Sequence, residues 1–273
     1  MKIPPRGRIW ARQTEVTQAT LGARATRAVT PCGVDLAAGT ANRLYDKPLS
    51  TSTPALDWSA IDTILLDMDG TLLDLHFDNH FWQSHVPVRY AEQRGLTREA
   101  AHEELAARYH SRAGSLEWYS VEFWETELAL DIMRLKEEVA HLIAIHPGVI
   151  EFLSAARAAG KRLLLVTNAH HKSVTLKMAR TGLEPRFDGI ITSHELGLPK
   201  EDRGFWPLLQ AREPFDPARS LLVDDSLPVL DSARDYGIRH LLAVLRPDTR
   251  LPTKATGAYA AISSFADIVP PAG

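Results

Sequence analysis

Cysteine is nearly absent. Cys32 is the single thiol in 273 residues. One cysteine closes no internal disulfide and builds no cysteine-based zinc site, and a reducing, cytoplasmic setting fits it. Long apolar runs are missing too: none approaches the roughly 18 residues that suggest a membrane span. An excess of charge of either sign is missing: 31 lysines and arginines stand against 34 aspartates and glutamates, a net charge of −3, so nothing global points to a nucleic acid polymer as partner. There is no GxGxxG and no GxxxxGK followed by Ser or Thr, so neither a dinucleotide fingerprint nor a P-loop is supported. No internal repeat is visible. What remains is an apolar fraction of 45% and a charged fraction of 24%, the balance of a globular protein long enough to bury a proper core.

Residues 1–54 read differently from the rest. Lys2, Arg6, Arg8, Arg12, Arg24, Arg27, Arg43 and Lys47 face only Glu15, Asp35 and Asp46, and no apolar periodicity persists. An Arg-rich, acid-poor start fits a transit peptide, a disordered tail or a misplaced start codon. With no apolar signal core and no amphipathic stripe, a disordered extension is expected. From Trp58 onward, short aliphatic runs alternate with helical stretches. "DTILLDMDG", "KRLLLVTNAH", "FDGIITS", "SLLVDDS" and "RHLLAVL" read as five strands. "HPGVIEFLSAARAAG", "KSVTLKMARTGL", "GFWPLLQARE" and "PVLDSARDYG" read as the helices between them, and after the fifth strand the chain wanders to Gly273. This alternation predicts an α/β fold, a doubly wound parallel sheet covered on both faces. Residues 77–146 are helical throughout, with Thr97 as an expected helix cap. That block is far longer than a simple crossover and reads as an inserted α-helical cap domain. The expected organisation is a core of residues 55–76 and 147–268 with a cap of residues 77–146.

Four polar clusters stand at or just after strand ends, the edge where ligands bind in such sheets. In "DMDGT", Asp67 and Asp69 are spaced so that side chains on a strand point the same way. Two like charges there repel unless a cation or proton relieves them, and Mg²⁺ is the simple answer. An acidic turn is the bland alternative. Gly70 allows a tight approach to a ligand, and Thr71 offers a hydroxyl and an N–H. In "VDDS", Asp224 and Asp225 repeat the pattern. One of the two completes the metal site, with Asp225 favoured and Asp224 behind it; a helix-capping acid is the alternative. Thr167 and Asn168 stand where a strand meets a helix, a ready phosphate site or a plain cap. Lys200 in "GLPKED" fits a charge partner for phosphate and aspartates better than a solvated surface residue. His170 and His171 are set aside as a helix start, since adjacent histidines are expected to point apart. His76, His80 and His85 are expected to be solvated. Trp82, Trp118, Tyr119 and Trp124 are expected to build the cap core, with one or two free to stack on a substrate base.

Taken together, "DMDGTLLD", "VTN", Lys200 and "VDDS" resemble the four motifs of the haloacid dehalogenase-like (HAD) hydrolase superfamily, over about Trp58 to Ile268. Within it, "DTILLDMDGTLLDLHFDNHFW", "LLVTNAHHKS", "GLPKEDRGFW" and "LLVDDSLPVLDSAR" look like the bacterial GMP/IMP nucleotidase group. The resemblance implies a Rossmann-like core with a helical cap and a Mg²⁺-dependent phosphatase acting on small phosphate monoesters such as purine mononucleotides. Asp67 is then the nucleophile and Asp69 the general acid and base. Thr167 and the Asn168 backbone bind the phosphoryl group, and Lys200 steadies its charge. Asp67, Asp225 and the carbonyl of Asp69 hold the metal. Many relatives carry glycine where this chain has Asp224, and a further acid where it has Val229, which leaves the roles of Asp224 and Asp225 to be divided. An acid at position 69 favours a phosphatase over a dehalogenase, whose halide leaves without a proton. A phosphatase of phosphoglycolate or a sugar phosphate, a phosphomutase, and a catalytically silent binding protein are the alternatives.

Overall fold

The computed structural model describes residues 55–271; the expected N-terminal extension lies outside the described residues. Six strands form one sheet: β1 (Thr63–Leu66), β2 (Arg162–Thr167), β3 (Gly189–Thr192), β4 (Ser220–Asp224), β5 (His240–Val244) and β6 (Ala260–Ile262). Their spatial order is β3-β2-β1-β4-β5-β6, and every neighbouring pair is parallel. β6 goes beyond the five strands expected. It is a three-residue Ala-Ala-Ile edge, with Ala260 exposed, too short to show a pattern of its own.

Both faces of the sheet are buried, which explains why the inner strands are aliphatic without alternation. Ile64, Leu66, Leu163, Leu165, Leu221 and Val223 enter one apolar cluster. Leu65, Leu164, Val166 and Leu222 enter the other. The first is covered by α7 (Val149–Ala158) and α8 (His171–Thr181), through residues such as Phe152 and Met178. The second is covered by α10 (Phe205–Arg212) and α11 (Leu227–Tyr236), through Trp206 and Leu230. A short α9 (Ser193–Leu196) lies between β3 and Lys200.

Between β1 and β2 the chain makes a helical insertion: α1 (His76–His80), α2 (Val86–Arg94), α3 (Arg98–Arg112), α4 (Leu116–Tyr119), α5 (Val121–Leu128) and α6 (Ile132–Glu138). The Thr97 hydroxyl caps α3 as expected, accepting from the Ala100 N–H at 3.2 Å. A π-helical turn, Phe81–His85, joins α1 to α2. The apolar residues Phe77, Phe81, Val86 and Tyr90 step by four, five and four, and the five-residue step falls on the wide turn. Pro87, which has no N–H for the ladder, follows at once. Trp82, Trp118 and Trp124 are buried in the insertion's own apolar cluster, while Tyr119 is only half-buried and turns toward the core.

Gly148 is where the chain turns from the insertion into α7. It has φ +80°, and a Cβ there would lie 2.5 Å from the backbone nitrogen of Ala266. Both the left-handed conformation and the close backbone approach require glycine. Gly148→Ala is expected to lower stability by about 1–3 kcal/mol, read as a lower midpoint in urea unfolding. An unchanged midpoint would show that the 265–268 turn yields freely.

Candidate active site

Parallel topology lays the carboxyl ends of β1, β2 and β4 side by side, because β1 sits between the other two. Asp67 follows β1 and its N–H donates to the Val223 carbonyl of β4 at 3.1 Å. Asp224 ends β4 and Thr167 ends β2. Lys200 reaches into this edge from beyond β3. Its ammonium lies 2.6 Å from Asp67 Oδ1, 2.6 Å from Asp224 Oδ2 and 3.1 Å from the Val166 carbonyl. All three of its N–H donors are thereby used. Its backbone N–H donates to Asn168 Oδ1 at 2.9 Å, which fixes the loop.

The Asp67 and Asp69 side chains meet different ammonium groups. Asp69 turns the other way, with Oδ1 2.6 Å from Lys177 Nζ on α8. The same ammonium is 2.6 Å from Asp78 Oδ2 on α1, and Asp78 also meets Lys136 of α6 at 3.1 Å. The repulsion expected between the paired carboxylates is therefore relieved by two lysines, one for each. Lys177, Asp78 and Lys136 were not singled out in the sequence. Lys177 lies three residues after Val174 and next to Met178, both on the apolar face of α8. A lysine on a buried helix face was the available signal.

Burial pushes the Asp67 carboxyl up to about 7; Lys200 opposes this, and Asp224 and Asp225 add to it. Burial likewise raises Asp69 to about 7 against the opposing pull of Lys177, with Asp78 adding to the rise. For Asp78 burial also works upward, but Lys177 and Lys136 outweigh it and hold the carboxyl below its ordinary value. Burial would lower both Lys177 and Lys200, yet their aspartate partners raise them, so both stay charged.

Asp67, Asp224 and Asp225 each bring a carboxylate oxygen within 4.8 Å of the other two. The Asp69 side chain stands outside this group. Asp224 has both oxygens engaged, Oδ1 by the Ser226 N–H at 2.9 Å and Oδ2 by Lys200. Asp225 meets Lys254, a partly exposed lysine, at 3.1 Å. Three carboxylates that converge with hard oxygen donors, two of them sharing the Lys200 ammonium, fit a magnesium ion. Gly70, with φ +79°, brings the first loop against this cluster: a Cβ there would lie 2.9 Å from the Asp225 carboxyl carbon. Thr71 is fully buried, and its hydroxyl has no hydrogen-bond partner among the described residues. Thr167 is buried as well, its Oγ1 accepting from the Ala169 N–H at 3.0 Å, which leaves the hydroxyl proton to donate.

Asn168 also donates to Glu201 Oε2 at 2.8 Å, and Glu201 Oε1 accepts from the Tyr119 hydroxyl at 2.6 Å. A side-chain chain thus runs from the insertion through Glu201 and Asn168 to the Lys200 backbone. His170 and His171 stand at the start of α8, as expected, but their rings do not point apart. His170 caps α8 outside the helix and His171 is its first residue, and this break in regular geometry sets their rings 4.0 Å apart. Burial, with His171 and His194 beside it, pushes the His170 imidazole down to about 4.

The description "haloacid dehalogenase-like hydrolase" matches residues 61–237. The chain belongs to the haloacid dehalogenase-like hydrolases. It is 37% identical over 213 residues to the GMP/IMP nucleotidase YrfG of Escherichia coli, covering 78% of this chain and 96% of that protein. It is 26% identical over 214 residues to a phosphoglycolate phosphatase of Caulobacter vibrioides, covering 76% of this chain and 88% of that one. Among solved structures, a HAD phosphatase from Thermococcus onnurineus superposes with a TM-score of 0.65 at 22% identity, over 76% of this chain and 96% of its own. This HAD hydrolase shares that fold, with the helical insertion between β1 and β2. No helix among the described residues is long and apolar enough to cross a membrane.

The raised Asp67 carboxyl has a measurable cost. Between about pH 4 and about pH 7 the folded protein keeps a proton that the unfolded chain has released, so this group weakens the fold as the pH rises. Asp67→Asn has no such proton to lose. In divalent-free buffer the variant is expected to gain stability over the unsubstituted protein between about pH 5 and about pH 8, by about 1–3 kcal/mol. Denaturant unfolding at several pH values measures it. A gap that narrows with rising pH would show that Lys200 outweighs burial.

Proposed function

We propose that this HAD hydrolase is a Mg²⁺-dependent phosphatase of purine nucleoside monophosphates, GMP and IMP foremost. The observation that carries the reaction class is the division of the opening motif. Asp67 is buried against Lys200 and two further carboxylates, while Asp69 is held apart on its own lysine. The substrate class is supported by the 37% identity to a GMP/IMP nucleotidase along almost its whole length.

In this reading residues 55–76 and 147–268 are the catalytic core and 77–146 the cap. A phosphate monoester dianion repels an anionic nucleophile, so the site must supply positive charge. Lys200 supplies one charge at Asp67 Oδ1. Asp67, Asp225 and the carbonyl of Asp69 would hold Mg²⁺, with Asp224 holding Lys200 in place behind them; the ion when bound neutralises phosphate charge. Thr167 and the Asn168 backbone N–H bind the phosphoryl oxygens. Asp67 attacks phosphorus and forms an aspartyl-phosphate. Asp69, poised near pH 7, gives a proton to the leaving ester oxygen and then takes one from the water that cleaves the intermediate.

Phosphate release measured with Mg²⁺ over a panel of nucleotides, phosphoglycolate and sugar phosphates tests the assignment. Preference for GMP and IMP is expected, with Asp67→Asn reducing turnover by at least about 10³-fold. A phosphoglycolate or sugar phosphate preference would overturn the substrate class. Turnover surviving in Asp67→Asn would overturn the mechanism.

Lys177 makes a second test. Without its ammonium, Asp69 is raised further and is less often ionised when water must be deprotonated. Lys177→Gln is therefore expected to move the acidic limb of the kcat profile to higher pH, by about one unit. A uniform loss with no displaced limb would assign Lys177 to packing alone.

A further inference from the structure

A second group of ligand-type side chains lies away from the strand ends, where the insertion meets the core. Glu122 comes from the first turn of α5, His170 caps α8 and His171 begins it. One ligand atom from each lies within 4.8 Å of the other two. His170 is only 3% exposed, yet its Nε2 has no closer acidic partner than Glu122 Oε2 at 3.7 Å, beyond hydrogen-bond reach. Its Nδ1 meets the Lys172 N–H at 3.4 Å, the far limit of a hydrogen bond, so little is lost if the ring changes tautomer. A third imidazole, His194, stands edge-on to His170 with ring centroids 4.8 Å apart. Both His194 nitrogens are buried without a hydrogen-bond partner among the described residues. His194 is not one of the three converging residues; the buried His170 ring, with its Nε2 facing Glu122 beyond hydrogen-bond reach and a second imidazole beside it, is what points to a cation more than to a packing contact.

We propose that Glu122, His170 and His171 form a transition-metal site of the Zn²⁺ class that ties the helical insertion to the sheet core. Two imidazole nitrogens and one carboxylate oxygen suit Zn²⁺ or Co²⁺; Mg²⁺ prefers an all-oxygen shell such as the aspartate cluster. Tetrahedral zinc with bonds of roughly 2.0–2.1 Å holds its ligand atoms about 3.3 Å apart. The remaining contraction falls on Glu122 and His171, whose side chains are exposed and free to adjust. Lys172 opposes a dication here, but its ammonium is already engaged. It lies 3.2 Å from Glu122 Oε1 and 3.6 Å from Glu125, and it leaves Oε2 facing His170. Because the carboxylate belongs to α5 and both imidazoles to α8, a bound ion resists separation of the insertion from the core.

Co²⁺ binding to the full chain, held in saturating Mg²⁺, tests this without any substrate. Isothermal titration gives the stoichiometry and visible absorption the ligand field. One Co²⁺ per chain is expected, with the intense d–d bands of a tetrahedral site, and the same in an Asp225→Asn background. His171→Ala and Glu122→Gln are each expected to weaken binding about 10–100-fold. Both positions are exposed, so these variants keep the fold, which circular dichroism checks. Co²⁺ held only at the aspartate cluster, or affinity unchanged in both variants, would overturn the proposal. Zn²⁺ competing with Co²⁺ at equal stoichiometry would support it.

Discussion

Two buried ammonium groups hold this structure to its purpose. Lys200 joins Asp67 to Asp224, and Lys177 joins Asp69 to Asp78. Each of these aspartates would be costly to bury alone, since an uncompensated charge in the interior destabilises by several kcal/mol. With its lysine it is tolerated, and burial still keeps Asp67 and Asp69 far above the usual carboxylate range. The aliphatic strands beneath exclude water from this edge and so strengthen every charge interaction at it. The parallel sheet is what lets residues from four separate strand ends meet.

Much of this was legible in the residues. Aliphatic runs ending in polar clusters announced the parallel sheet, and the clusters at 67–69, 167–168, 200 and 224–225 do meet at one edge. Lys200 was readable because it follows a strand on the ligand side. Lys177 was not, because a lysine in the middle of a helix is solvated by default, and only the packing of α8 turns it inward. Asp78 was hidden for the same reason, among aromatics whose spacing is broken by the π turn. The Tyr119–Glu201–Asn168 connection joins residues 82 positions apart at its first link, which no local pattern shows. The histidine pair does open a helix, but its rings meet because the first of them lies outside regular helix, where the rule that neighbours diverge does not apply.

The insertion is a small aromatic-cored body in its own right, with Tyr109 packed edge to face against both Trp82 and Trp124. Its attachment to the sheet core includes polar contacts: Asp78 to Lys177, Tyr119 to Glu201, and Glu122 to Lys172. Two of them lead directly to groups that touch Asp69 or order Lys200. The insertion thus reaches the charged groups of the site through side chains and not through the sheet itself.

The place of β1 in the sheet has a consequence for how the protein comes into being. This central strand is the first of the described strands to be synthesised, and its neighbours pair through Arg162 and Ser220. Asp67 waits 133 residues for Lys200, and Asp69 waits 108 for Lys177. A nascent chain therefore carries these two aspartates without their counter-ions until most of the sequence has left the ribosome. The insertion, rich in local helical contacts, is complete long before that. The two counter-ions arrive one after the other, Lys177 with α8 and Lys200 ahead of β4, so the site's charges are matched in the same order in which the strands around β1 are added.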